Sequence, residues 1–433
     1  MNLMTRRAGA ALFLAMAALF LIANRAAYKG YFQDDELNNL SWTRDIPALE
    51  YAQAILTPKF FNNNFRPVGH FYFREMSLLF GLDFPKYLPL IHLAHILNVW
   101  LVWLLARRLG LEPLPASLGT LFFAFDMAVF DVYWKPMYVF DLFCATFSLA
   151  SILLYTRRRY VLSFVAFWLA YKSKELAVML PLALACYEFW LAEKKVLKPL
   201  IPFFAVSLSF GLQGTLLNHS PDNDYTFRFT PAAFWTCLSF YASRIFLIPY
   251  AGLALIALPL VIRDRRLWFG AAMLFLFFVP LLFLPGRLYA AYCYLPLAGF
   301  AIMAATVAAI PRLAPVVALL GVLWIPWNIV QLRRNRSYTL QADNEVRAYV
   351  SALVKFSQTS PTTRVFVFDG LPTGFHSWGT EGILLFLFGH PNPALYSIDD
   401  KEAAPALQRD DAALLKWNPF RRKLAVIPGR TLW

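Results

Sequence analysis

Apolar residues run in long blocks from Ala8 to Val330, and each block ends at a short knot of Arg or Lys. The period-2 alternation of a membrane β-barrel is absent. Blocks of this length predict membrane-spanning helices, because lipid offers no partner to a backbone N–H or C=O outside a helix or a closed barrel. The knots are Arg6-Arg7, Arg107-Arg108, Arg157 to Arg159, Lys194-Lys195 with Lys198, Arg263 with Arg265-Arg266, and Arg312. Together they hold 14 basic residues against three acids, Glu112, Glu193 and Asp264, which places them all on the cytoplasmic side. The chain then crosses twice between successive knots, giving eleven spans: 8–24, 87–106, 115–131, 139–156, 160–172, 176–192, 199–217, 236–262, 267–285, 290–310 and 313–331. The first block follows Arg6-Arg7 like a signal peptide, but Asn24-Arg25-Ala26-Ala27 is a poor cleavage site, so it reads as an uncleaved span.

Parity puts residues 25–86 and everything after Val330 outside the cytoplasm. Arg333, Arg334 and Arg336 run against that bias. The loop 25–86 carries seven Lys/Arg and seven Asp/Glu. Within it, Pro47–Leu56 and Arg66–Phe80 predict amphipathic helices at the membrane interface. From about residue 337 the pattern changes. A polar helix near Gln341–Phe356 precedes a strand at Arg364–Phe368, a turn at Asp369-Gly370, an apolar helix near Glu381–Phe388, and strands at Ala394–Ile398 and Lys423–Ile427. The fold expected is an α-helical polytopic membrane protein with a small C-terminal α/β domain. Its membrane module covers 1–336 and its extracytoplasmic α/β domain covers 337–433.

Composition agrees. The 433 residues are 59% hydrophobic and only 15% charged, where a soluble domain carries about 25% charge. The net charge of +14 follows from the knots and not from a solvent-facing basic domain, so nucleic acid is not an expected partner. Cys144, Cys186, Cys237 and Cys293 all lie inside apolar blocks and suggest neither a disulfide framework nor a metal site.

Three outward-facing regions gather ionisable groups. The first is Asp34-Asp35-Glu36, whose plain alternative is a solvated helix N-terminus. The second runs from Asp126 through Asp131, Trp134 and Lys135 to Asp141, where pairing with Lys135 or loop amides is the competing explanation. The third is Lys172-Ser173-Lys174-Glu175. The apolar stretch before it, Tyr160–Ala170, rises only about 16 Å as helix against a hydrocarbon core of about 30 Å. Lys172, Lys174 and Glu175 are therefore expected below the outer surface, facing a polar cavity, unless Lys174 and Glu175 simply pair. His92, His95 and Asn98 sit one turn apart on the second span, where packing outweighs metal binding. Carboxylates and buried cations around one cavity suit transfer of an activated sugar. A carboxylate takes the acceptor proton, and cations stabilise the departing phosphate. A lipid-borne phosphate would meet Lys172 or Lys174 and Arg66.

The chain also resembles the multi-pass GT-C glycosyltransferases. The resemblance rests on the acids of the first loop, Phe65-Arg66-Pro67, His95 with Asn98, and Ala106-Arg107-Arg108-Leu109. Phe140-Asp141-Leu142, Ser173-Lys174-Glu175 with Pro181, Arg287-Leu288-Tyr289, and Tyr294 to Gly299 follow in the same order. The kinship looks strongest with protein O-mannosyltransferases and the transmembrane-and-tetratricopeptide O-mannosyltransferases, without the repeats. The resemblance implies a polyprenyl-phosphate sugar donor and an extracytoplasmic acceptor. It also implies a catalytic base at Asp34 or Asp35, with Asp34 preferred. Asp131, with Glu36, would support the acceptor or a metal, while Lys172, Lys174, Arg287 and Arg66 would bind the donor phosphate. Glu175, Asp141 and His95 would support them. Asp126, Lys135, Pro136 and Gly286 depart from the family pattern.

The resulting expectation is an inverting membrane glycosyltransferase in a bacterial cytoplasmic membrane, with its site on the extracytoplasmic side. Its partners would be a polyprenyl-phosphate-linked sugar, membrane lipids, and a glycan, lipid or protein acceptor. No cofactor is certain, and a divalent metal ion is left open. The rival reading is a lipid or solute transporter with buried coupling charges, although no inverted repeat supports it. A third is a scaffold whose work lies in the C-terminal domain.

Overall fold

The computed structural model describes residues 3–58, 65–217 and 223–429. Among these residues six helical segments are long and apolar enough to cross a membrane: Ala11–Lys29, Phe84–Arg108, Pro113–Trp134, Pro136–Thr156, Ala290–Ala308 and the first part of Ala314–Thr359. Shorter apolar helices, Tyr160–Ser173, Leu180–Trp190, Ile201–Leu217, Pro231–Ile245, Ala254–Val261 and Arg265–Phe278, complete the bundle. Val161, Leu208, Val261 and Val322 stay exposed on its flanks, as lipid-facing side chains do. The chain is an integral membrane protein.

Helices stand at all eleven expected spans, although several are shorter than a full crossing, and two differ further in form. The segment 236–262 breaks into two helices around residues 246–253. Pro249 lacks the N–H that would continue the ladder, and Leu247 and Tyr250 take left-handed backbone there, with φ of 56° and 58°. The last span does not stop at the membrane. Ala314–Thr359 is one helix of 46 residues, about 69 Å long, so the polar helix expected at 341–356 is its outer end. Nothing between Pro326 and Pro361 is Gly or Pro, and Gln331, Arg333, Arg334, Arg336, Gln341, Glu345 and Arg347 are good helix formers. The helix therefore runs unbroken through position 336, where a domain boundary was expected.

Beyond it, a four-stranded sheet has the order β2-β1-β3-β4, with β1 Val365–Asp369, β2 Ala394–Ser397, β3 Ala412–Asn418 and β4 Lys423–Pro428. β1 pairs in parallel with β2 and β3, while β3 pairs antiparallel with β4. β3, which the sequence reading lacks, is central. Its Ala-Ala-Leu-Leu start shows no alternation, and its place is set by pairing with the buried β1.

The first loop is built on this C-terminal unit. Helix Ser377–Phe388 packs against helix Asp34–Trp42 through two glycines. A Cβ on Gly379 would lie 2.6 Å from Asp34 Oδ1, and one on Gly382 would lie 2.6 Å from the Asn38 Cα. The long helix adds a second anchor. Its buried Asp343 accepts from Tyr31 N at 3.0 Å and Gln33 Nε2 at 2.9 Å, and pairs with Lys135.

Candidate functional site

Helix Asp34–Trp42 starts with a capping box. Gln33 N donates to Glu36 Oε2 at 2.6 Å, which satisfies one of the unpaired donors of the first turn. The other Glu36 oxygen accepts from Met137 N at 3.2 Å, tying the helix start to the loop after the third span. Burial pushes the Glu36 carboxyl up to about 7, against the pull of Lys135 and its two backbone donors. With the start of the helix fixed, its face is fixed too. Asp35, Asn38, Asn39 and Trp42, at i, i+3, i+4 and i+7, line one wall of a cavity of about 490 Å³.

The rest of the charged lining comes from chain breaks between helices. Lys174 follows helix Tyr160–Ser173 in extended backbone and projects into the cavity, where its Nζ lies 2.6 Å from Asp141 Oδ1 and 4.2 Å from the Tyr292 ring centroid. Arg66, just before helix Pro67–Phe80, grips Glu175 with two forked contacts of 2.9 Å, Nε to Oε1 and Nη2 to Oε2. Burial opposes both charges. Each nevertheless holds the other ionised, with Arg66 above its ordinary range and Glu175 below it. The third cation is Arg287. Its guanidinium stacks 4.4 Å from the Tyr225 ring centroid and 4.6 Å from that of Tyr289, and its Nη2 meets the Tyr292 hydroxyl at 3.5 Å. Among the described residues no carboxylate pairs with Arg287, and its buried Nε has no partner. Arg66 and Lys174 are thus balanced by acids, whereas among the described residues Arg287 meets tyrosines.

The expected site residues divide accordingly. Asp35, Arg66, Asp141, Lys174 and Arg287 line one cavity, with Glu175 behind Arg66. Asp34 turns away from it. Its Oδ1 accepts from His376 N at 2.8 Å, and its Oδ2 lies 2.7 Å from His376 Nδ1. Burial raises the Asp34 pKa, and the bonds from His376 oppose that. Glu36 is spent on the capping box. Asp131 is half-buried in the field of Lys135 and Asp343, off the cavity. Lys172 is buried in the bundle, 5.4 Å from the Trp168 ring centroid and 5.8 Å from that of Phe210. His95 is a core residue, with Nδ1 2.8 Å from the Tyr294 hydroxyl. No group of three or more His, Cys, Asp or Glu side chains is placed to hold a metal among the described residues.

The sequence reading does not single out Asn38, Asn39, Trp42, His70, Tyr138, Tyr225 or Tyr292, which also line the cavity. One signal was available. Asp35, Asn38, Asn39 and Trp42 share a helical face, while Leu37 and Leu40 lie opposite and are buried.

No family model and no curated protein matches the chain. Two solved structures match over nearly its whole length. ArnT from Cupriavidus metallidurans bound to undecaprenyl phosphate is 14% identical, covers 94% of this chain and 93% of its own, and superposes with a TM-score of 0.52. The same protein in the apo state is 13% identical, with 94% and 92% coverage and a TM-score of 0.54. The chain shares the polytopic membrane fold of ArnT. The likeness carries that fold and does not extend to the O-mannosyltransferase kinship.

Proposed function

We propose that the chain is a membrane glycosyltransferase that moves a sugar from a polyprenyl-phosphate donor to an acceptor hydroxyl, inverting the anomeric carbon. The observation that carries this reading is the bipolar cavity, which Asp35 and Arg287 both line, Arg287 having no carboxylate partner among the described residues. ArnT, which shares the fold, was solved with undecaprenyl phosphate, so the same class of carrier is the donor assigned here.

Asp35 accepts the proton of the acceptor O–H as that oxygen forms its bond to the anomeric carbon. The bond from the anomeric carbon to the phosphate oxygen breaks, and its electron pair leaves with polyprenyl phosphate. Arg287 holds the phosphate before and after the step, and Lys174 adds charge stabilisation beside it. Arg66 and Glu175 fix the floor. A single displacement gives inversion. The positions of the basic knots support a cavity on the extracytoplasmic face, and the reading assigns the chain to a bacterial cytoplasmic membrane. The acceptor is a glycan, a lipid or a protein carrying a free hydroxyl.

Purified full-length protein, incubated with a panel of undecaprenyl-phosphate-linked hexoses and pentoses, tests the reading. Release of undecaprenyl phosphate from at least one donor, lost in Arg287→Gln and Asp35→Asn, is the expected result. No binding or turnover of any donor in the panel overturns it.

A further inference from the structure

His70 is 5% exposed, yet it lines the cavity. Its ring is clamped on three sides. It stacks on Phe65 at 5.4 Å and 7°, and it meets Trp42 at 4.7 Å and Phe140 at 4.8 Å edge to face. Arg66 N donates to its Nδ1 at 2.9 Å. A nitrogen that accepts an N–H carries no proton of its own, so the proton of the neutral ring sits on Nε2. Among the described residues nothing pairs with Nε2. Burial, aided by the Arg66 charge, pushes the His70 pKa down to about 3. At neutral pH the ring is therefore a fixed, uncharged N–H donor. It is not a proton shuttle, and it is not a cation for phosphate.

Its neighbours indicate what it faces. The adjoining wall offers a carboxylate, two carboxamides and an indole, from Asp35, Asn38, Asn39 and Trp42. That set suits a hydroxyl-rich neutral ring, whose C–H face lies on the indole while its hydroxyls meet the polar groups. Contacts also order the cavity. Arg287 touches Tyr292, Tyr292 covers Lys174, Lys174 pairs with Asp141, and Arg66 lies 5.5 Å from the Phe140 ring centroid beside His70. His70, Trp42 and Arg287 line the same cavity, so a sugar attached to a phosphate on Arg287 shares that space with His70 and Trp42.

We propose that His70 Nε2–H donates to a hydroxyl of the donor's sugar ring, which stacks on Trp42, making His70 a residue that selects the sugar. This rests on the glycosyltransferase reading. The test compares binding of undecaprenyl phosphate and of undecaprenyl-phosphate-linked hexoses to the full-length protein. His70→Phe keeps an aromatic ring of similar shape and removes the donor. Its affinity for a sugar-bearing probe is expected to fall about tenfold, with affinity for bare undecaprenyl phosphate unchanged. His70→Gln, which restores an N–H, recovers part of the loss, and its thermal midpoint reports folding independently. Arg287→Gln weakens both probes. Equal loss of both probes in His70→Phe, or no loss of either, overturns the sugar-reading role while leaving the donor assignment standing. Failure of the unmodified protein to bind either probe overturns the donor assignment and the role of His70 together.

Discussion

Asp34 and His376 are 342 residues apart in the chain, yet His376 meets both Asp34 oxygens, at 2.8 Å through its backbone N–H and 2.7 Å through its ring. The contact fastens the C-terminal unit to the helix that carries Asp35. Adjacent residues on a helix point about 100° apart. When Asp34 faces His376, Asp35 is therefore left to face the cavity.

The two aspartates should accordingly fail in different ways. Asp35→Asn is expected to lower turnover by about 10²- to 10⁴-fold, the range for a lost general base, with an unchanged thermal midpoint. Asp34→Asn is expected to keep measurable turnover and to lose about 1–3 kcal/mol of stability, since a partly buried acceptor loses a charged hydrogen bond. Turnover and thermal unfolding of both variants in the same detergent separate the cases. A reversed pattern would return the base to Asp34.

Gly379 tests the docking by volume alone. A methyl group there meets Asp34 Oδ1 at 2.6 Å and Phe375 Cε2 at 2.7 Å, so the two helices must separate. Gly379→Ala should cost about 1–3 kcal/mol and also reduce turnover, because the helix bearing Asp35 shifts with the contact. Gly211→Ala is the control. Among the described residues its Cβ would meet nothing within 4 Å, and Ala is the better helix former by about 0.5–1 kcal/mol. Wild-type turnover in Gly379→Ala would show that the C-terminal unit does not position Asp35.

These contrasts mark what the sequence could convey. Span positions were legible because lipid permits few solutions, and the cation-rich break at Lys174 was legible from the shortness of Tyr160–Ala170. The direction of Asp34 was not, because it depends on His376, far away in the chain. Nor was the partnering of the cations. Arg66, Lys174 and Arg287 look equivalent as letters, and only the fold gives the first two an acid each and leaves Arg287 among tyrosines. β3 was hidden for a similar reason, since its strand character comes from pairing with β1 and not from its own alternation.

The buried Glu36 predicts a pH dependence. Its carboxyl lies near 7 in the folded chain against an ordinary value of 4.5, so the folded state binds the proton more tightly. Stability is then highest below about pH 4.5 with respect to this group, falls as pH rises toward 7, and levels above it, a change on the order of 3 kcal/mol. Thermal midpoints measured between pH 5 and 8 should fall in the wild type. In Glu36→Gln, which cannot ionise, the slope should flatten whatever the absolute midpoint. An equal slope in both proteins would mean that Glu36 is ionised throughout.

The same cluster makes a second, asymmetric prediction. Lys135 bonds to Tyr31 O at 3.0 Å and pairs with Asp343, and it also sits in the field of Glu36 and Asp131. Three carboxylates thus share one ammonium. Removing an acid leaves Lys135 with two others, so Asp343→Asn should cost only about 3 kcal/mol, the lower end for a broken buried pair. Removing the cation leaves three acids without one, so Lys135→Met should cost about 5 kcal/mol, the upper end. The gap should widen with rising pH, because the Glu36 carboxyl, held near 7 by burial, loses its proton over that range. Thermal unfolding of the two variants at pH 6 and pH 8 checks the order. If Asp343→Asn proves the less stable at pH 8, the cluster is held by the hydrogen bonds of Asp343 to Tyr31 and Gln33, and not by its one cation.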